Sequence, residues 1–278
     1  MCVHRGEEPP LNPIVNVFFT HCNLQCIYCQ NWQISGKGER LKVKGERYSV
    51  DALADAITSH LWLHKVADHS SPLTSHLIGF VTAAHYADHL AAIVEAVRHR
   101  GYEPTVVYNS GGYESVETLR SLEGLVDVYL PDIKYMDADI AVRYSHAKDY
   151  PEVAAATLKE MKRQVGGGLI TDEAGMACRG MIVRHLVLPG HTDNSLSCLE
   201  WLADNFNPFT LHLSLMAQYF PPREGLPAPL DRTLTAEEYA VVTERAAELG
   251  FTEGWVQELA AKDNYRPDFT NTYSPFER

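Results

Sequence analysis

The chain has 278 residues, 45% of them hydrophobic and 22% charged, enough for one large domain or two small ones with a real core, which excludes a disordered polypeptide. Lys and Arg number 24 against 36 Asp and Glu, a formal charge of −12 with no basic run, so general nucleic-acid binding is not expected. No run approaches the roughly 18 to 20 apolar residues that cross a bilayer, and Met1 to Pro10 lacks the apolar stretch of a signal peptide, so the expected location is the cytoplasm, away from membranes.

Apolar, β-branched runs alternate with helical segments along the chain. The first predicted strand is Val15 to Phe19, followed by a basic, Gly-bearing loop at Ser35 to Arg47. Ser49 is a good N-cap for a helix in which Leu53, Ile57, Leu61 and Val66 fit helical spacing loosely. A strand at Leu77 to Thr82 precedes a helix at Asp88 to Arg100, with Leu90, Ile93, Val94 and Val97 on one face and Gly101 at C′. Strands at Thr105 to Tyr108 and Val126 to Leu130 come next. Pro151 suits the first turn of a helix running to about Gln164 and stopped by Gly166-Gly167-Gly168. Strands at Ile182 to Leu188 and Leu211 to Leu215 follow, then a capping box at Thr235-Ala236-Glu237-Glu238, a helix ending before Gly250, and a weaker strand near Trp255 to Gln257.

Strand and helix repeated about six times imply right-handed crossovers and a parallel sheet, as an incomplete (β/α) barrel or a doubly wound sheet. Either places ligands beyond the C-terminal ends of the strands. Residues 1–13 read as a peripheral lead-in, 14–258 as one barrel domain, and 259–278 as a polar tail whose Asp263 to Asp268 stretch pins across the barrel.

Three of the six cysteines, Cys22, Cys26 and Cys29, crowd into eight residues just after the first strand, while Cys2, Cys178 and Cys198 are scattered. The C-x3-C-x2-C spacing reads as metal chemistry rather than a disulfide framework. A structural zinc knot needs a fourth ligand, for which only His21, Cys2 or Cys178 offer themselves. Three thiolates on a cubane cluster instead leave one iron free for a small molecule. A carrier of electrons would want full cysteine ligation, so a non-catalytic iron–sulfur or zinc protein is the rival reading.

The stretch Cys22-Asn23-Leu24-Gln25-Cys26-Ile27-Tyr28-Cys29, with Tyr28 in the aromatic slot and Gln30-Asn31 after it, resembles the signature of the radical S-adenosylmethionine (SAM) superfamily. Within it, Cys29-Gln30-Asn31 resembles the pyruvate formate-lyase activating enzymes and their uncharacterised homologues. The resemblance runs from about Glu7 to Asp268. It implies a partial (β/α)6 TIM-like barrel holding a 4Fe–4S cluster on the three cysteines, with SAM on the open iron, reductively cleaved to a 5′-deoxyadenosyl radical. A glycyl-radical enzyme, a peptide or a small molecule would be the substrate, and flavodoxin or ferredoxin the reductant.

The same resemblance implies SAM contacts from successive strand ends. Asn31 follows the triplet, and a loop-capping asparagine is its plain alternative. The family's Gly-Gly-Glu after the second strand is replaced by Val81-Thr82-Ala83-Ala84-His85, so the SAM ammonium must be met by carbonyls, by Thr82 or by an acid from elsewhere. Asn109 and Ser110 end the third strand, and Asp132 and Lys134 match an Asp-x-Lys after the fourth. Arg184 precedes an apolar run and a Pro-Gly turn, and Gln218 follows the sixth strand. Lys134 and Arg184 are costly to bury without an anionic partner, a place open to the ligand's carboxylate, with Asp132 serving one of them. His60, His64 and Asp68, like His85 and His89, read as solvated helix faces, and Cys178 as an inert buried thiol.

Overall fold

Nine strands form one sheet in the computed structural model, which describes residues 2–4, 7–36, 42–43, 45–67, 77–263, 266–271 and 275–276. They are β1 (Cys2–His4), β2 (Ile14–Phe18), β3 (Leu77–Val81), β4 (Thr105–Ser110), β5 (Val128–Pro131), β6 (Leu169–Thr171), β7 (Ala177–Leu186), β8 (His212–Met216) and β9 (Gly254–Val256). From β2 the spatial order is β2-β3-β4-β5-β7-β8-β9, every neighbouring pair parallel. A doubly wound sheet reverses its order at a switch point, and this one never does. With every crossover on the same side, the sheet curls into a partial TIM-like barrel, which decides between the two architectures left open by the sequence. Among the described residues nothing pairs β2 with β9; β1 covers the free edge of β2 antiparallel instead.

The helices are α1 (Trp32–Ser35), α2 (Val50–Ala67), α3 (Ala87–Arg98), α4 (Val116–Ser121), α5 (Ala138–Ser145), α6 (Tyr150–Val165), α7 (Thr192–Asn205) and α8 (Ala236–Glu248). Their local signals do what the sequence says. The Ser49 hydroxyl accepts from Ala52 N, the Thr235–Glu238 capping box is complete, and Gly101 takes φ +82° beyond α3. Leu90, Ile93, Val94 and Val97 of α3 are buried against Ile78 and Phe80 of β3 and Val106 of β4. Each such side chain contributes roughly 1.5–3 kcal/mol.

Side chains alternate across the strands with period two. The register row Val17, Phe80, Tyr108, Tyr129 faces the helices, and the next row, Phe18, Val81, Asn109, Leu130, faces the barrel interior. The lower interior is a separate apolar plug that includes Leu11, Ile14, Leu77, Val107, Val128 and Ile182.

Several boundaries differ from the sequence reading. β1 and β6 were not expected, since three residues carry too little periodicity to register. β7 begins at Ala177 and ends at Leu186, because its first half pairs antiparallel with β6 around the turn at Asp172 to Met176. Cys178 is exposed on that hairpin, not buried. The lead-in is not wholly peripheral: Glu8 and Leu11 are only 2% exposed. Val66 lies in α2 with its side chain outside the described residues, as do parts of the Ser35 to Arg47 loop, His64 (side chain) and Asp68. Among the described residues no helix is long and apolar enough to cross a membrane.

Candidate functional site

A cavity of about 210 Å³ opens at the C-terminal ends of the strands. One wall is the loop from His21 to Asn31. His21 turns it sharply, with φ +70°, and its N–H bonds Ile34 O at 2.8 Å. Leu24 and Tyr28 plug into a tyrosine-rich cluster with Tyr135, Tyr144, Tyr150 and Tyr219, while Ile27 N bonds Tyr144 O at 2.8 Å. With these two residues turned into the protein, Cys22, Cys26 and Cys29 line the cavity, each half-buried.

Two of the three sulfurs accept hydrogen bonds from hydroxyls. Ser145 at the end of α5 donates to Cys26 Sγ at 3.0 Å, and Ser35 at the end of α1 to Cys29 Sγ at 3.4 Å. Burial pushes the Cys22 thiol up to about 12, with the Cys26 and Cys29 charges adding to it. Burial likewise pushes Cys26 up to about 11 against the Lys134 charge, and raises Cys29. A metal centre binding to these thiols must displace their protons. Among the described residues no three His, Cys, Asp or Glu side chains converge on a point where one metal ion would sit. Three thiols lining one cavity are a donor set that an iron–sulfur cluster accepts.

The other wall is ionic. Asp132, just past β5, sits between two cations: Lys134 Nζ lies 2.5 Å from its Oδ2, and Arg184 Nε and a terminal nitrogen lie 2.9 and 2.8 Å from its Oδ1. Arg184 also donates to Asn109 Oδ1 at 2.8 Å. Burial alone would raise the Asp132 carboxyl, but the Arg184 and Lys134 charges outweigh it and hold it below the usual range. Both cations are therefore paired within the protein, where the sequence left one of them to a ligand.

The acids that complete this wall come from the lead-in, where sequence reasoning placed nothing. Glu7 Oε1 accepts from Gln218 at 3.2 Å, and its Oε2, which has no hydrogen-bond partner, lies 4.0 Å from Arg184. Burial raises the Glu7 carboxyl and Arg184 opposes it. Glu8 is pushed up to about 7, by burial first and the Glu7 charge second, and its Oε1 also lacks a hydrogen-bond partner. Both carboxyls are thus shifted toward the protonated form, beside the ions Asp132, Lys134 and Arg184. An acid pair before Pro9-Pro10 carries no periodicity that would mark it as interior.

Of the residues singled out in the sequence, Tyr28, Asn31, Thr82, Asn109, Asp132, Lys134, Arg184 and Gln218 line this cavity with the cysteines. Asn31 makes no side-chain cap on α1, so that plain reading of it fails. Thr82 takes φ +59°, a costly conformation for a β-branched residue. Gln218 accepts from Gln257 at 3.0 Å and donates to Glu7 and Gln30. Ser110, expected beside Asn109 at the ligand, does not line the cavity. One residue beyond Asn109, it points to the helix side of β4, where its hydroxyl donates to Glu114 at 3.0 Å and accepts from Gly112 N. Gln30, Asn16, Tyr135 and Ser145 join the site without having been foreseen. The tail contributes Pro267 and Phe276, and Phe269 packs edge-on against Phe18 at 5.2 Å. Gln33 clasps the tail by bonding both Asp268 and Phe269 N.

No family model matches the chain. An uncharacterized protein of Methanocaldococcus jannaschii, MJ0674, is 31% identical over 252 residues, which is 89% of this chain and 64% of that protein, so the chain spans just under two thirds of this relative's length. Among solved structures, the FeFe-hydrogenase maturase HydG from Carboxydothermus hydrogenoformans matches with a TM-score of 0.56 at 10% identity, over 90% of this chain and 55% of that one. A second HydG structure gives 0.54 at 9%, over 88% and 52%. At these identities the likeness is one of fold.

Proposed function

We propose that this chain is a radical SAM enzyme, holding a 4Fe–4S cluster on Cys22, Cys26 and Cys29 and SAM beside it. The observation that carries this reading is the placement of three cysteine sulfurs on one post-strand loop, lining a cavity at the C-terminal rim of a partial barrel. The fold shared with HydG and the sequence signature support it. When bound, the cluster supplies one electron that splits SAM into methionine and a 5′-deoxyadenosyl radical able to abstract a hydrogen atom.

The chain's own residues bind, orient and shield. Three thiolates leave one iron without a protein ligand, the position a small molecule needs. Asn31 and Asn109 offer amides that both donate and accept, suited to a zwitterion and a ribose, while Gln218 donates to Glu7 and holds it at the cavity. Glu7 is the acid that the end of β3 lacks, available to an ammonium group. Phe18, Leu24, Tyr28 and Phe276 screen the cavity from water, which protects a radical from quenching. The wider resemblance extends the reading to a peptide glycine as hydrogen donor, flavodoxin or ferredoxin as reductant, and the cytoplasm as location.

Anaerobic reconstitution with iron and sulfide, followed by electron paramagnetic resonance (EPR), tests the proposal. The reduced signal should change on adding SAM, and 5′-deoxyadenosine should accumulate. A protein that takes up zinc in place of iron, or whose cluster ignores SAM, would be the non-catalytic module instead.

A further inference from the structure

Behind the cysteine loop lies a run of hydroxyls that ends on sulfur. Tyr28 and Tyr135 hydroxyls are 2.5 Å apart, Tyr135 is 2.8 Å from Ser145 Oγ, and Ser145 Oγ is 3.0 Å from Cys26 Sγ. All three hydroxyl residues are buried. Ser145 has one proton, so donating to Cys26 obliges it to accept from Tyr135, and Tyr135 then accepts from Tyr28. Each link polarises the next, which strengthens the last bond in a low-dielectric setting. Phenylalanine would fill the same volumes without polar atoms to satisfy, so the two phenols are an expensive way merely to pack this cluster. The backbone fixes the chain of bonds at both ends: Gln25 N approaches Ser145 O, and Ile27 N bonds Tyr144 O, so the loop cannot move relative to α5 without breaking it.

Cys29 has a hydroxyl donor of its own in Ser35, at a longer 3.4 Å. Cys22 is the contrast: its sulfur lies 3.6 Å from Asn23 Oδ1, an acceptor. Backbone N–H groups also reach two of the sulfurs, Leu24 at Cys22 and Asn31 at Cys29, so it is the hydroxyl donors that are graded, shortest at Cys26, longer at Cys29 and absent at Cys22.

We propose that Ser145, backed by Tyr135 and Tyr28, sets the reduction potential of the iron–sulfur centre held by Cys26, with Ser35 as a weaker contributor at Cys29. The proposal rests on the radical SAM reading. Reduction adds one electron, delivered by an outside reductant, to a centre whose negative charge spreads onto its thiolate ligands. A hydroxyl donated to such a ligand stabilises the reduced state more than the oxidised one and raises the potential. No proton or bond changes hands; these are positioning residues that act through the sulfur.

The test is a dithionite redox titration of the anaerobically reconstituted full chain, followed by EPR, with iron and sulfide counted per chain. Ser145→Ala should retain the metal and titrate at a more negative potential than wild type. Tyr135→Phe, which keeps shape and loses one oxygen, should shift the same way by less, and Ser35→Ala by less than Ser145→Ala. Ser145→Thr, which restores the hydroxyl, should return toward wild type. Fully loaded Ser145→Ala and Tyr135→Phe proteins titrating at the wild-type potential would overturn the proposal while leaving the enzyme reading intact. If Ser145→Ala fails to load, Tyr135→Phe decides alone. A wild-type chain that binds no iron and sulfide would withdraw both.

Discussion

On the cysteine side of the cavity the buried polar groups are uncharged hydroxyls, Tyr28, Tyr135 and Ser145, joined in one line. On the other side Asp132 is an ion clamped between the cations Lys134 and Arg184, with the Glu7 carboxyl behind them. The difference teaches what each side tolerates. A hydroxyl line can lose a member and keep its neutrality, whereas an ion triad that loses its centre leaves like charges buried together. The hydroxyl side is built for adjustment and the ionic side for persistence.

The largest expected effect falls on the hydroxyl side, where the sulfurs are. Alanine at Cys22, Cys26 or Cys29 should abolish iron and sulfide uptake altogether, while Cys178→Ala and Cys198→Ala should retain it; metal analysis after reconstitution decides. Loss of uptake in the Cys198 variant, whose sulfur is buried away from the cavity, would count against three-cysteine ligation.

On the ionic side, Asp132→Ala should cost about 3–5 kcal/mol, because both cations lose their shared partner. Chemical denaturation of the metal-free protein measures it, and a cost below about 1 kcal/mol would show that the triad does not hold the rim together. Removing Lys134 or Arg184 singly should cost less, since Asp132 keeps one partner.

Next comes Glu8. Its carboxyl titrates near 4.5 in the unfolded chain and about 7 in the fold. Between those values the unfolded state has released its proton and the folded state has not, so stability falls as pH rises through this window. Glu8→Gln should flatten that decline by on the order of 3 kcal/mol, visible as a shallower dependence of denaturation midpoint on pH. An unchanged slope would place the Glu8 proton elsewhere in the ionic wall.

The smallest effect concerns the strap over both sides. Gln33→Ala removes two bonds to the tail and should cost about 1 kcal/mol, read as faster hydrogen exchange at residues 266–271. Exchange as slow as in wild type would mean that Phe269 against Phe18 holds the tail by itself.

The two sides also differed in how much of them could be read from residues alone. Cys22, Cys26 and Cys29 sit within one loop, so spacing reveals them. Asp132 and Lys134 share a strand face by period two, and Asn109 on β4 and Arg184 on β7 flank β5, beyond which Asp132 lies, so barrel logic brings them together. The same logic separates Asn109 from Ser110, and only the strand's phase, which composition does not fix, says which of the two faces inward. Glu7 meets Gln218 across 211 positions, and Ser145 meets Cys26 across 119; neither contact leaves a local trace. The parallel strands and four of the eight helices, α2, α3, α6 and α8, were legible from apolar repeats and capping residues; α1, α4, α5 and α7 were not singled out, and β1 and β6 are too short to repeat at all.

Thr82 carries one more consequence. Its backbone sits at φ +59° on the cavity rim, where glycine would be at ease and a branched side chain costs about 1–3 kcal/mol. Its hydroxyl lies 3.5 Å from Phe19 O, too long a contact to offset that cost. A position that carries the costlier residue is a natural place to measure the exchange rate between robustness and performance. Thr82→Gly offers that measurement in a single substitution: a higher melting temperature with weaker SAM binding would put a number on the trade, and a protein improved in both would make residue 82 a starting point for building a hardier catalyst.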